Sequence, residues 1–201
     1  MKKIGIIGGG STGHTAATVF TMWGHEVHLC DTEAYADILN VTAGLPEMRI
    51  EGCLGEGSAK IKMVTTDIGK ALEDVDVIVC CTIANRDEEV AEMIAPYLKQ
   101  DSVVLLSSGG LGSYVYRKVF DRKGLTSVVV GESCGNLFPC RLVKPGLCRI
   151  GLPLMKKNVA AFPYSDTPKL IEAFKDIWEF HAAGSILECA LNGPNLIGHI
   201  V

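Results

Sequence analysis

The sequence predicts an α/β protein with a doubly wound, mainly parallel β-sheet. Short apolar runs alternate with segments of helical periodicity along most of the chain, which is typical of crossover units. Two of these runs, Val75–Cys81 and Ser102–Leu106, are apolar enough to be strands buried on both faces. Extended runs around Gly55-Glu56-Gly57, and again beyond Ser133, predict β-hairpins inserted into this Rossmann-type fold.

The first predicted strand, Lys3–Ile7, leads directly into a glycine-rich turn and then a helix. Gly8, Gly10 and Gly13 have the spacing at which dinucleotide-binding folds turn tightly, approach a diphosphate and pack helix on strand. The diphosphate would lie at the helix N-terminus, where unpaired N–H groups favour an anion. An ordinary strand–helix turn is the alternative. We predict that the turn binds a dinucleotide through Gly8, Gly10, Ser11, Thr12 and Gly13.

The second predicted strand, His25–Cys30, ends at Asp31. An acidic residue at this place accepts hydrogen bonds from an adenosine ribose. The segment Asp31-Thr32-Glu33, with no arginine after it, suits a free 2′-hydroxyl better than a 2′-phosphate. NAD is therefore expected in preference to NADP.

The later elements continue the alternation. Helices are predicted up to Leu39, over Ile68–Leu72, from Asn85 to Leu98, over Leu111–Arg122 and from Pro168 to Phe180; Met48–Leu54 pairs with Ala59–Val64 as a hairpin, and Ser127–Gly131 is a further strand. Ligands of such sheets gather at the carboxyl ends of the strands. At those ends we select Thr82, Ile83, Ala84 and Ser107 as further cofactor-binding residues.

Composition limits the compartment and the partners. Of the 201 residues, 48% are hydrophobic, which indicates one globular core, and a net charge of −4 argues against nucleic acid. No apolar segment is long enough for a signal peptide or a membrane span. The eight cysteines include no C-x-x-C pair, so we expect buried thiols in a reducing cytoplasm and no metal site.

The segment from Ser133 to Ser165 carries five basic residues and no acidic one. Solvated hairpin side chains are one explanation, and a substrate carboxylate held by Arg141 is the other. Beyond it, Ser185–Glu188 is predicted to be a strand and Ala190–Val201 the opening of a helix. Asn195 and His199 are four residues apart, so they would share one face of that helix. A neutral histidine near a nicotinamide can transfer the proton that accompanies hydride transfer.

Several motifs resemble the NAD(P)-dependent octopine/nopaline, or opine, dehydrogenase family over almost the whole chain. The matching motifs are Gly8–His14, Gly24–Val27, Val64–Asp67, Ala95–Leu98, Pro139–Val143 and Leu191–Asn195 with His199 after it. The first two are shared with many nicotinamide dehydrogenases. The Pro-Cys-Arg motif followed by Asn-Gly-Pro-Asn-x-x-x-His is more specific.

The resemblance implies a reaction, its substrates and its residues. Enzymes of this family reductively condense the amino group of an amino acid with a 2-oxo acid. His199 matches the family's catalytic histidine, Asn195 lies beside it in the motif, and Cys140 and Arg141 become candidates for substrate binding. In that family an all-helical second domain follows the histidine. We expect residues 1–184 to form the cofactor domain and residues 185–201 to begin that helical domain, supplied by a longer protein or by a separate chain in a homo- or hetero-oligomer.

Two other functions compete with this one. A 2-oxo-acid reductase of the ketopantoate reductase or glycerol-3-phosphate dehydrogenase kind fits the early motifs nearly as well, and the Pro139–Arg141 and Asn195/His199 features fit it less. The other is a non-catalytic NAD-binding regulatory module, which needs no second domain. A cofactor domain alone favours this function, because it has no wall that excludes water and orients a second substrate.

Overall fold

The computed structural model describes residues 1–153 and 156–191. The strands are β1 (Lys3–Ile7), β2 (Glu26–Cys30), β3 (Met48–Gly52), β4 (Gly57–Ala59), β5 (Met63–Thr65), β6 (Val77–Cys80), β7 (Val103–Leu106), β8 (Val129–Ser133), β9 (Cys140–Lys144), β10 (Leu147–Ile150), β11 (Lys157–Ala161) and β12 (Phe180–Ala182). The helices are α1 (Ser11–Met22), α2 (Ala36–Gly44), α3 (Ile68–Ala71), α4 (Asp87–Ile94), α5 (Gly112–Arg122), α6 (Thr167–Phe174) and α7 (Ile186–Leu191). The alternation of strands and helices confirms the predicted fold class.

The chain divides into two compact units. The first comprises residues 1–81 and 138–155, and the second comprises residues 82–137 and 156–201. In the first unit, strands β6, β1, β2 and β5 lie side by side in that order and all run parallel. Strand β1 is central, because it pairs with β2 on one side and β6 on the other, and its isoleucine side chains are fully buried. The glycine turn therefore leaves the middle of this sheet.

A small second sheet lies in the first unit and covers α1. Its strand order is β4-β3-β10-β9, with β10 parallel to β3, so the two inserted hairpins join into one sheet. The prediction that Ala59–Val64 completes the first hairpin was wrong beyond Ala59. Glycines with positive φ at 52 and 55 reverse the chain so that Ile50 pairs with Gly57, and Met63–Thr65 extends the parallel sheet instead.

The second unit has a mixed sheet. Strand β7 is parallel to β8, β8 is antiparallel to β11, and β11 is parallel to β12. Helix α6 ends at Phe174, six residues before the predicted end, and Phe180 begins β12. Helices α4 and α5 pack on each other, and α5 and α6 contact β8.

The predicted strand Ser185–Glu188 is a helix in the structure. The Ser185 hydroxyl accepts a hydrogen bond from the Glu188 N–H (3.2 Å), and the Glu188 carboxylate accepts one from the Gly184 N–H (2.7 Å). This reciprocal arrangement is a variant of the capping box that starts helices. Helix α7 packs on β8 and β11 through the buried Cys189.

Two predictions about the C-terminal part remain predictions. Residues 192–201, with Asn195 and His199, lie outside the described residues, and the proposed domain boundary after residue 184 is untested. Within the described ranges, no helix combines the length and the apolar character needed to cross a membrane.

Candidate cofactor site

The glycine turn is closed on its protein side and open on the other. A Cβ at Gly13 would stand 1.8 Å from the Gly8 carbonyl oxygen, so only glycine allows α1 to start this close to β1. Gly8 itself has a φ of 136° and would meet the Cys81 carbonyl oxygen at 2.7 Å. At Gly10, by contrast, nothing lies within 4 Å of an added Cβ. The chain therefore leaves space directly beside the start of α1.

The start of α1 has the properties of an anion site. The helix is 12 residues long, its first turn has no acidic residue, and the N-cap Gly10 offers no side-chain cap. Exposed N–H groups and the positive end of the helix dipole favour phosphate at such a terminus. A diphosphate fits this open, uncapped turn. Packing thus restricts Gly8 and Gly13 to glycine and leaves space at Gly10, and diphosphate binding there stays a prediction.

Asp31 is buried at the end of β2, with 1% of its surface exposed. One carboxylate oxygen accepts a hydrogen bond from the Gly9 N–H (2.8 Å) and the other accepts one from the Thr32 N–H (2.7 Å). The carboxylate therefore fixes the middle of the glycine turn. Each carboxylate oxygen can accept more than one hydrogen bond, so this role is compatible with ribose binding.

His14 holds the first turn of α1 from within the unit. Its Nδ1 lies 3.0 Å from the Gly10 carbonyl oxygen, and its Nε2 lies 2.9 Å from the Thr42 hydroxyl on α2. Burial lowers the pKa of this imidazole, although hydrogen bonds to Gly10 and Gly9 oppose the shift. Sequence analysis identified the histidine only as part of a motif; its role is to tie α2 to the turn.

The Pro-Cys-Arg motif docks on the same end of α1. The Ser11 hydroxyl accepts a hydrogen bond from the Leu142 N–H (3.0 Å), and the Cys140 thiol lies against Thr12 and Thr15. Burial raises the pKa of the Cys140 thiol. The Ser11 hydroxyl still has its own proton to donate, so contact with a phosphate remains chemically open to it.

Arg141, in contrast, is exposed. Its guanidinium donates one weak hydrogen bond, to the Cys140 carbonyl (3.4 Å), and has no carboxylate partner among the described residues. The register places Arg141 opposite Arg149, which pairs with Glu51. Of these two exposed arginines of the small sheet, Arg141 is therefore the one whose charge is not compensated by a described carboxylate.

The remaining predicted cofactor residues belong to the second unit. Thr82 is half-buried, Ala84 is exposed, and Ile83 exposes 63% of its surface. Ser107 is buried; its hydroxyl donates to Asn136 (3.0 Å) and accepts from the Leu137 N–H (3.3 Å). Ser107 thus bonds within its own unit.

Glu132 is the residue whose role sequence analysis missed. Its side chain is fully buried on β8, and its carboxylate accepts hydrogen bonds from the N–H groups of Gly110, Leu111 and Ser113 and from the Ser113 hydroxyl at 2.6 Å. These residues start α5. The sequence placed Glu132 at a strand end, but no local pattern links it to a helix about twenty residues earlier.

No group of metal-ligating side chains forms within residues 1–153 and 156–191. The cysteines in those ranges are all free thiols.

Comparisons with known proteins agree with the sequence resemblance. The chain is 26% identical to an opine dehydrogenase of Arthrobacter sp. (strain 1C) over 98% of its length, and it spans 55% of that relative. Octopine dehydrogenase structures with NADH and L-arginine or NADH and agmatine share the fold, with TM-scores of 0.77 and 0.78 at 19% identity, covering 94% of this chain and 50% of theirs. A ketopantoate reductase of Ralstonia eutropha gives 0.62 at 18% identity, covering 90% of this chain and 56% of that one.

The profile of one protein family covers most of the chain. It is the family described as ketopantoate reductase PanE/ApbA, and the match runs over residues 4–143, from β1 into β9. That range includes the glycine turn, Asp31, the ends of β6 and β7, and the Pro-Cys-Arg motif. The chain belongs to the ketopantoate reductase PanE/ApbA family.

Proposed function

We propose that this chain binds NAD and forms the cofactor-binding part of an oxidoreductase of opine dehydrogenase type. The observation that carries the proposal is the open, uncapped start of α1, in a chain similar to an opine dehydrogenase over 98% of its length. When bound, the nicotinamide supplies or accepts hydride. The residues of this chain bind and orient the dinucleotide.

Each proposed cofactor residue has a distinct task. Gly8 and Gly13 keep the turn tight, Gly10 leaves room for the diphosphate, and Ser11 and Thr12 offer hydroxyl and N–H groups. Thr82, Ile83, Ala84 and Ser107 follow strands β6 and β7 and would contact the ribose and nicotinamide end, with the exposed Ile83 as an apolar wall. Because the Ser107 hydroxyl is already bonded to Asn136 and Leu137, we expect it to shape its loop more than to bind directly.

NAD is favoured over NADP because of Asp31. A buried carboxylate at the end of β2 accepts hydrogen bonds from ribose hydroxyls and repels a 2′-phosphate. Structural relatives exist with either cofactor: octopine dehydrogenase with NADH, and yersinopine dehydrogenase with NADP+.

Asp31→Asn tests this preference. The amide keeps the size of the side chain but removes its charge, so NADH binding should weaken by about tenfold while NADPH binding changes much less. Fluorescence titration with both cofactors measures the ratio. General damage to the glycine turn would lower both affinities equally, and that result would remove the ribose assignment.

The proposed reaction is the reductive condensation of an amino acid with a 2-oxo acid. Octopine dehydrogenase structures hold L-arginine and pyruvate, one example of each class. His199 would transfer the proton that accompanies hydride transfer, with Asn195 beside it. Arg141 and Cys140 would bind the substrate. Arg141, the arginine of the small sheet without a carboxylate partner among the described residues, would hold a carboxylate group of the substrate. The family match favours a second candidate, reduction of a 2-oxo acid alone.

One assay separates the two reactions. NADH oxidation is followed with pyruvate plus single amino acids, and with ketopantoate or pyruvate alone. We expect turnover that needs both substrates and that falls by at least about a hundredfold in His199→Ala, the usual contribution of a general acid or base. Turnover with a 2-oxo acid alone would favour the second candidate, and turnover unaffected by His199→Ala would contradict the role of His199.

The relatives are almost twice the length of this chain, so a further domain would complete the active site. We propose that residues 1–184 are the cofactor domain and that residues 185–201 lead into that domain, on this protein or on a second chain in an oligomer. The assay should therefore be run with and without the product of any neighbouring reading frame. A regulatory NAD-binding role would be favoured if NADH binds and no substrate pair turns over.

A further inference from the structure

The chain contains a second glycine-rich turn, Ser107–Gly112, between β7 and α5. It follows a buried strand and precedes an 11-residue helix, as the first turn does. Two of its non-glycine residues have positive φ, Ser108 at 121° and Leu111 at 66°. Such conformations cost on the order of 1–3 kcal/mol each and persist only where the surroundings hold them.

Glu132 holds the end of the loop. Its carboxylate accepts hydrogen bonds from the N–H groups of Gly110 (3.3 Å), Leu111 (3.2 Å) and Ser113 (3.0 Å), and from the Ser113 hydroxyl (2.6 Å). These N–H groups at the start of α5 have no partner within the helix, and a negative charge there is stabilised by the helix dipole. A fully buried carboxylate without such partners would be strongly unfavourable.

The middle of the loop is held by close packing. The Gly109 N–H donates to the Ser133 carbonyl (2.7 Å), and a Cβ at Gly109 would lie 2.9 Å from the backbone of Cys189 on α7. Ser107 at the start of the loop is bonded to Asn136 and Leu137. The loop is therefore fixed at both ends and in the middle, and at its end the fixing group is the charged carboxylate of Glu132.

The two glycine turns of the chain differ in one decisive respect. The start of α1 has no side-chain cap and open space beside Gly10. The start of α5 is filled by Glu132, and the Asp87 carboxylate lies against Gly112 there as well. An external phosphate would meet the carboxyl groups of Glu132 and Asp87 at the start of α5, whereas the Asp31 carboxylate of the first turn bonds Gly9, before the helix, and leaves the start of α1 uncapped.

We propose that Glu132 is a positioning residue. Its carboxylate acts as a built-in anion that occupies the start of α5, so that a phosphate binds at the start of α1 instead. The same carboxylate holds the Ser107–Gly112 loop in the conformation that the cofactor needs. The part that concerns the cofactor rests on the proposed function, which assigns the end of β7 to it. The part that concerns the built-in anion at the start of α5 does not rest on the proposed function.

The test uses the full chain with Glu132→Gln and Glu132→Ala. Glutamine fills the same space without the charge, and NADH binding should weaken roughly tenfold because charge-assisted hydrogen bonds are lost. Alanine leaves the donors of Gly110, Leu111 and Ser113 facing a small cavity. Sodium formate should therefore raise the melting temperature of the alanine variant more than sodium chloride at the same ionic strength, and should do so only for that variant.

Thr167→Ala is the matched control, because it removes another buried hydrogen bond of the same unit, from the Ala161 N–H to the Thr167 hydroxyl (3.0 Å). It should lower the melting temperature but leave NADH affinity and the formate response as in the wild type. If Glu132→Gln binds NADH as tightly as the wild type, or if Thr167→Ala weakens NADH equally, the positioning role is overturned. A formate effect no larger than that of chloride overturns the built-in anion.

If the wild-type chain binds no NADH, the proposed function fails, and the formate comparison still decides whether Glu132 acts as a built-in anion. If the alanine variant does not fold, NADH binding by the glutamine variant decides about the positioning role.

Discussion

At the scale of single residues, buried polar side chains organise both glycine turns. Asp31 accepts hydrogen bonds from the first turn, His14 links that turn to α2, and Glu132 caps the second turn. A buried carboxylate or imidazole is unfavourable unless its hydrogen bonds are satisfied, so each of these side chains keeps one specific backbone conformation. Asp31 was predictable from its place after a strand; Glu132 was not, because its partners lie 19 to 22 residues away.

Asp87 gives a pH dependence at this scale. Burial, together with the nearby charge of Glu132, raises the pKa of Asp87 to about 6 from an ordinary 3.8. The folded state then binds a proton more tightly than the unfolded state, so stability is lost as pH rises from about 4 to about 6.

We predict that Asp87→Asn stabilises the chain at pH 8, on the order of 1 kcal/mol after allowance for its partial exposure. Near pH 4, where the wild-type carboxyl is protonated in the folded state, the gain should disappear. Urea unfolding at the two pH values measures the difference. Equal effects at both would show that Asp87 does not carry this proton.

At the scale of elements, close approach decides which turns the chain can make. Helix α1 starts so near β1 that Gly13 has no room for a side chain, whereas Gly44, near the end of α2, has open space around it. The glycine spacing was predictable from the sequence, since that pattern is local. Helix α7 was wrongly predicted to be a strand because Ser185-Ile-Leu-Glu188 is apolar enough for one, and only the hydrogen bonds of the capping arrangement distinguish the two.

Gly13→Ala tests this close packing. Because the added methyl would overlap the Gly8 carbonyl oxygen, we expect a loss of roughly 2–3 kcal/mol in the free energy of unfolding. Gly44→Ala, which adds the same methyl to a helix position with free space, should be neutral or slightly stabilising. Denaturant unfolding compares the two, and a Gly13→Ala variant as stable as Gly44→Ala would mean that the turn is looser than described.

At the scale of the whole molecule, most of the main fold follows from hydrophobic periodicity and turn residues. The parallel strands β1, β2, β6 and β7 lie where the apolar runs predicted them. The joining of two distant hairpins through β3 and β10 was not predictable, since nearly a hundred residues separate the paired strands and no local pattern records the pairing. The same limit applies to the site: residues can be selected at strand ends by position, but which of them face the cofactor depends on contacts made between distant parts of the chain.

The central claim is that the start of α1 binds the diphosphate of NAD. Gly10→Ala tests it most directly, because its Cβ meets nothing in the protein and projects into the space assigned to the phosphate. NADH titration of the wild type, Gly10→Ala and the control Gly44→Ala is the measurement. We predict micromolar binding for the wild type and Gly44→Ala, and affinity at least about tenfold weaker for Gly10→Ala. The melting temperature of Gly10→Ala should stay close to that of the wild type. Equal NADH binding by all three, or none by the wild type, would contradict the account.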